Sequence, residues 1–262
     1  MENKQFGFIM PVQKETDRVF GASVTPMDIF PTSNWLQWLP KVQLQAKNGI
    51  DSQNCTGYGT SNIVATYLRR KYTELNDFSE RGIGILAGTR PPGNDPITVI
   101  QAWRDHGVIK EATLPFDDTV TFIEKYYSPS PLTASMLVEA QQWHADYDIQ
   151  YDIVPTDRKS LKEALSHSPL GISVYAWAMD EKGLYYRPNN ARDTHWVMCY
   201  NINDDGTLNL FDSYDKTRKV LRADFVPQFA LRYYVTKKQK TLPIVKRKTF
   251  FGFLHNWFPQ CV

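Results

Sequence analysis

Nowhere in the sequence do the ~18 consecutive apolar residues of a membrane-spanning helix occur together. A mean hydropathy of -0.43 argues equally against a bundle of such helices. Charge of one sign is also missing: a net charge of +2 over 262 residues gives no general reason to bind nucleic acid. Cysteine is scarce. Cys55, Cys199 and Cys261 are odd in number, widely spaced and outside any CxxC pattern, which excludes a disulfide framework and the common zinc spacings. The expectation is a reducing, cytoplasmic compartment with no cofactor and no metal. The opening MENKQFGFIMPVQKETDRVFG has no basic region followed by an apolar run, so no secretory leader is expected.

What is present is a globular composition, with 42% hydrophobic and 22% charged residues, in a chain long enough to bury a core without covalent staples. Pro11, Pro26 and Pro31 interrupt the first thirty-odd residues without sustained periodicity, which suggests an irregular arm over 1–34. After Cys55, the residues Ile63, Val64, Tyr67 and Leu68 share one helical face, and Asp51 and Ser52 are suited to cap its first turn. Cys55 is thus expected at a helix start. Further helices are expected in PITVIQAWRDHG, opened by Pro96 and ended by Gly107, within PLTASMLVEAQQWHADY, and in TDRKSLKEALSHSP, capped by Thr156 or Asp157. The texture then turns to strands: LGISVYAWAM, HWVMCYNI, TLNLFDSY and FALRYYVT. The turn Asn203-Asp204-Asp205-Gly206 should pair HWVMCYNI with TLNLFDSY in a hairpin, bringing His195 and Asp212 toward one end of a sheet.

A thiol attacks only as the thiolate, and at its ordinary pKa of ~8.5 it is mostly protonated at neutral pH. A helix N-terminus and a nearby imidazolium both favour the anion, and an acceptor on the adjacent strand can hold the imidazole by its other nitrogen. Cys55, His195 and Asp212 supply these parts. Each alone has a plainer meaning: a buried small apolar residue, a satisfied histidine, the start of a turn. His106, His144 and His167 fall on or at the ends of expected helices, where solvent or dipole roles suffice. Cys199 reads as core and Cys261 as a loose thiol.

Taken in order, the segments resemble the papain-like cysteine peptidases. Cys55-Thr56-Gly57-Tyr58-Gly59 is similar to that family's C-W-A-F-(A/S) block, keeping the aromatic three residues on; FSER (78–81) looks like LSEQ, and HGVIKEATLPF (106–116) looks like its G-G-hydrophobic run ending in Y-P-Y. SLKEALSHSPLGISVYA resembles the helix, proline and strand that lead into the second half. THWVMCYN then matches the block around the general base, at His195, and LFDSYD matches K-N-S-W-G, with the orienting residue at Asp212 and the shielding aromatic at Tyr214. Asp51 four before the cysteine, and DSY in place of NSW, look like papain-fold proteins of phage and related mobile elements.

The resemblance implies an α+β papain-like two-lobe fold over 35–236, with a helical lobe of about 35–145 carrying Cys55, an antiparallel β-rich lobe of about 146–236 carrying His195 and Asp212, and the active-site cleft between them. Asp replaces the usual Asn at Asp212, and Ser52 stands where many members carry a disulfide cysteine. Gly57 and Gly59, each costing ~1 kcal/mol in a helix relative to Ala, suggest a mobile or open first turn. The oxyanion glutamine usually lies six positions before the cysteine, where this chain has Gly49; Gln45 is the first choice, then Gln43, then Gln53. The implied activity is peptide-bond cleavage through a thioester, with a peptide or protein substrate. A peptidoglycan-directed endopeptidase or amidase, and a weakly catalytic virion-associated scaffold, stand as alternatives.

From Lys237 the chain is basic and then aromatic: Phe250, Phe251, Phe253, Leu254, Trp257 and Phe258 would form a sticky patch suited to self-docking, to an oligomer or to a protein partner. Removal of the N-terminal arm is a conceivable activation step.

Overall fold

The computed structural model describes residues 7–22, 28–175 and 177–238. The basic and aromatic segment 239–262, with Cys261, lies outside the described residues.

Among the described residues, six α-helices, one 3-10 turn at Leu36–Trp38 and twelve strands follow one another in an α+β arrangement. Helix α1 (Cys55–Tyr72) is buried from Cys55 through Leu68 and ends at Thr73, whose left-handed backbone returns its N–H to Arg69 O. Its start departs from the sequence expectation. The capping position is Asn54, which makes no side-chain cap, while Asp51 and Ser52 do not cap the helix. Asp51 is instead drawn away by three donors, described below. Gly59 is a packing requirement rather than a loose link: a Cβ there would stand 2.6 Å from Trp196 Cδ1. Every residue of the first turn is buried, so the expected open turn is a closed one.

Around α1 stand α2 (Glu80–Leu86), α3 (Pro96–His106), α4 (Ile123–Tyr127) and α5 (Ala134–Asp146). Local chemistry sets their ends. Ser79 Oγ accepts from Gly82 N to open α2, Asp95 does the same for Thr98 N ahead of Pro96 in α3, and Gly107, at φ 77, closes α3. Helix α6 (Arg158–Leu165), capped by Asp157, separates the first two long strands.

Those strands belong to an eight-stranded sheet in the order β5-β12-β6-β9-β10-β11-β8-β7. The members are β5 (Tyr147–Ile153), β6 (Leu170–Val174), β7 (Ala178–Met179), β8 (Tyr185–Tyr186), β9 (His195–Ile202), β10 (Leu208–Phe211), β11 (Lys219–Leu221) and β12 (Ala230–Lys237). All neighbours are antiparallel except β11 and β8. The anticipated hairpin is present: Asn203 N donates to Thr207 O, and Phe211 of β10 faces Met198 of β9. Buried residues of the sheet and of α1 share one core, in which the Trp196 indole packs between Gly59 of α1 and Gly171 of β6. Inside the sheet, Arg232 and Asp152 form a buried ion pair across the β12–β5 register.

Two short pairings complete the fold. β2 (Ala46–Lys47) and β3 (Ile50–Asp51) form the turn leading to Cys55, and β1 (Gly7–Phe8) runs parallel to β4 (Gly93–Asn94). The described parts of the arm are docked on the domain at several points. Phe20 is buried with its N–H on Ile153 O, and the Phe30 ring meets Trp35 and Tyr67 edge-on. Among the described residues no helix is long and apolar enough to cross a membrane, and no cluster of three or more His, Cys, Asp or Glu could hold a metal.

Candidate active site

The hairpin geometry decides where His195 and Asp212 meet. His195 is the first residue of β9, opposite Val174 of β6, and Asp212 directly follows β10. The ring Nε2 of His195 lies 2.7 Å from Asp212 Oδ1, with both side chains removed from solvent. Asp212 Oδ1 also accepts the Ser213 N–H at 2.8 Å. Its other oxygen, Oδ2, receives Lys219 Nζ at 2.5 Å, and the same ammonium reaches Asp215 Oδ2 at 2.6 Å. Burial alone would raise the Asp212 carboxyl, but His195 and Lys219 outweigh it and hold the group below its ordinary value. The site therefore contains a stable carboxylate.

Two aromatic rings enclose the imidazole. Tyr214 lies at 4.9 Å between centroids, tilted by 46°, and Trp177 meets it edge-on at 5.3 Å. Lys219 sits over the Trp177 ring at 4.6 Å.

Cys55 opens α1 and is fully buried. Burial pushes its thiol well above the ordinary value, the Trp196 N–H opposes this by hydrogen bonding to the sulfur, the Asp51 and Asp212 carboxylates raise it further, and the Thr56 N–H lowers it. The sulfur is thus in contact with the backbone of the residue that follows His195. The helix start and the histidine strand meet at this point.

The three glutamines have different surroundings. Gln45 is fully buried: its Oε1 accepts from Ser213 Oγ at 2.6 Å, and one N–H of its amide goes to Asp51 Oδ1 at 3.0 Å. Gln43 turns outward to Asp77 Oδ1. Gln53, with φ 53, donates its backbone N–H to Asp51 Oδ1. Asp51 in addition accepts from Tyr214 OH at 2.6 Å, so one carboxylate ties Gln45, Gln53 and Tyr214 together. This explains why Asp51 leaves the helix cap: three donors in a partly buried setting outcompete a single cap bond.

The burial of the pair has a visible cause. Strand β1 passes between the segments that carry the two side chains. Phe8 N donates to Thr194 O, one residue before His195, and the Phe8 ring stacks on Trp196 at 5.6 Å and 9°. On the other side, a Cβ on Gly7 would stand 2.1 Å from Gln53 O, two residues before Cys55, and a Cβ on Gly93 would stand 1.9 Å from Gly7 O. Only glycines allow this crossing. A strap from the arm therefore runs across the segments that bear Cys55 and His195.

Lys219 and Trp177 were not singled out by sequence reasoning. Neither carries a usable signal: the lysine that opens KVLRADF reads as solvated, and Trp177 reads as part of a strand.

No protein-family model matches the chain, and no curated protein matches it. Solved structures do. Xylellain, a cysteine protease from Xylella fastidiosa, aligns with a TM-score of 0.64 at 17% identity over 87% of this chain and 94% of that one. Digestive procathepsin L 3 of Tenebrio molitor larval midgut aligns with 0.54 at 15%, covering 83% and 73%. The Carica candamarcensis cysteine protease CMS1MS2, in complex with E-64, gives 0.54 at 14%, covering 79% and 98%. The fold is papain-like.

Proposed function

We propose that this chain is a cysteine peptidase acting through a Cys55-His195-Asp212 triad. The observation that supports it most is the buried 2.7 Å contact of His195 Nε2 with Asp212 Oδ1, on a strand whose next N–H points at the sulfur heading α1.

In this reading the Cys55 thiolate attacks the carbonyl carbon of a peptide bond, and the carbonyl π electrons move onto oxygen. The Cys55 N–H and the second amide N–H of Gln45 stabilise that oxyanion, a donor of this kind being worth ~2.7 to 4 kcal/mol. The oxyanion collapses, the C–N bond breaks, and imidazolium His195 gives its proton to the leaving amine. Neutral His195 then takes a proton from water, whose oxygen cleaves the thioester and returns Cys55. Asp212 holds the ring through Nε2 so that the other nitrogen can serve the sulfur. The strap of β1 must move for a peptide to enter.

The test is turnover of denatured casein and of a mixed peptide library by the full chain, and by a form lacking residues 1–10, each with a Cys55→Ser control. Release of new N-termini that vanishes in the control supports the reading; no release from either form sinks it. Purified cell wall run in parallel separates a peptidoglycan-directed enzyme from a general peptidase. Complete burial of Cys55 and His195 favours a second reading, a papain-fold scaffold with little turnover. That reading requires both forms to be inert while remaining folded.

A further inference from the structure

Lys219 is an unusual lysine. Its side chain is 2% exposed, its stem leaves β11 opposite Leu210 of β10, and its ammonium is enclosed by Asp212, Asp215 and the rings of Trp177 and Tyr185. A lysine is rarely buried unless its charge is needed by a partner. Here the partner is the second oxygen of the carboxylate whose first oxygen holds His195.

Without that cation the site would ask two anions to coexist out of water, the Asp212 carboxylate and the Cys55 thiolate. The carboxylate would favour the imidazolium, yet it would disfavour the thiolate by like charge. The other groups at Asp212 do not replace it: His195 compensates the carboxylate only as the imidazolium, Ser213 gives a neutral N–H, and the further acids at this corner, Asp51 and Asp215, add negative charge.

We propose that Lys219 is a positioning residue of this site, fixing the Asp212 carboxylate toward His195 and cancelling its charge so that an anion can form on Cys55. This rests on the peptidase reading. The ionisable groups facing the site are Cys55 of α1, Asp51 of β3, Tyr127 of α4, His195 of β9, Asp212, Tyr214 and Asp215 of the turn after β10, and Lys219 of β11 with Tyr185 of β8.

The experiment is a thiolate titration by ultraviolet absorbance, taken as the difference from Cys55→Ser in each background, so that no reagent has to reach the buried sulfur. The variants are Lys219→Met, Asp212→Asn, the pair together, and Lys219→Arg. Lys219→Met is expected to move the thiolate limb up by about half to one pH unit, about three- to tenfold less thiolate at a given pH, and Asp212→Asn to move it down by a similar amount. The double variant should return to the wild-type limb, and Lys219→Arg should stay near it. A merely structural bridge would not give opposite shifts that cancel. Single variants that leave the limb in place, or shift it in the same direction, overturn the role of Lys219. The charge-neutral double variant keeps the test open if Lys219→Met, left with an uncompensated buried acid, fails to fold. Failure of the peptidase reading shows separately, as absence of peptide turnover in the wild type.

Discussion

The backbone of Gly7 passes so close to Gln53 that no side chain fits between them, a Cβ on Gly7 falling 2.1 Å from the Gln53 carbonyl oxygen. Gly7 also adopts φ 85, where an L-residue is strained. Gly7→Ala should therefore unseat β1 without touching the core. Strain of this kind is about 1–3 kcal/mol, enough to shift a docked strap toward its open form by roughly tenfold or more. The readout is the alkylation rate of Cys55 by iodoacetamide, expected to rise about tenfold; an unchanged rate would show that β1 does not control access to the sulfur.

Removing the whole arm should have a different effect. A chain beginning near Asn34 loses the buried Phe20 ring and the Phe30 contacts with Trp35 and Tyr67. At about 1.5–3 kcal/mol per buried aromatic, the thermal midpoint should fall, by roughly 2–4 °C for each kcal/mol lost. Deleting only residues 1–10, which removes β1 and the half-buried Phe8 ring, should lower the midpoint by less. If both deletions melt alike, the arm contributes nothing to the core.

Stability should decline from mildly acidic to neutral pH. Burial raises the Glu111 carboxyl to about 7, opposed by the Phe116 N–H, and burial likewise raises buried Glu80. An acid whose folded pKa lies above its unfolded one binds a proton more tightly in the native state, so its contribution is full below about pH 4.5 and lost as pH rises through about 7. Urea midpoints measured at pH 5 should exceed those at pH 8, and Glu111→Gln should flatten the slope. An equal slope in that variant would assign the loss to other groups.

The ion pair inside the sheet gives a fourth expectation. Arg232 Nε lies 2.7 Å from Asp152 Oδ2, both residues being essentially unexposed. Asp152→Asn leaves the guanidinium uncompensated, and breaking such a pair costs about 3–5 kcal/mol. Urea unfolding of the single variant should show that loss. Replacing both partners by apolar residues, Asp152→Leu with Arg232→Met, should recover most of it, because no buried charge is then left alone.

The parts of this fold that could be read from the sequence are those with adjacent signals. Pro96 and Gly107 bracket α3, Asp157 opens α6, and the Asn203 to Gly206 turn fixes the β9–β10 hairpin and hence the approach of His195 to Asp212. Strand β5 is masked in the sequence although Tyr147, Ile149, Tyr151 and Ile153 alternate, because the segment directly follows the helical pattern of α5. The cap of α1 was misplaced because Asp51 is claimed by Gln45, Gln53 and Tyr214, and two of those three are tied to it only through folding. Trp177 and the crossing of β1 have meaning only in relation to residues far along the chain, and Lys219, though close in sequence to Asp212 and Asp215, turns to them only once β10 and β11 pair.

The absence of one methyl group at position 59 acts as a spacer gauge. The Trp196 ring can approach α1 only because nothing projects there, and the same tryptophan's backbone N–H is the one that meets the sulfur. An alanine at 59 would lever the strand outward and carry the adjoining imidazole with it. A single small residue inside a helix thus sets how far apart the sulfur that heads α1 and the ring that opens β9 come to rest.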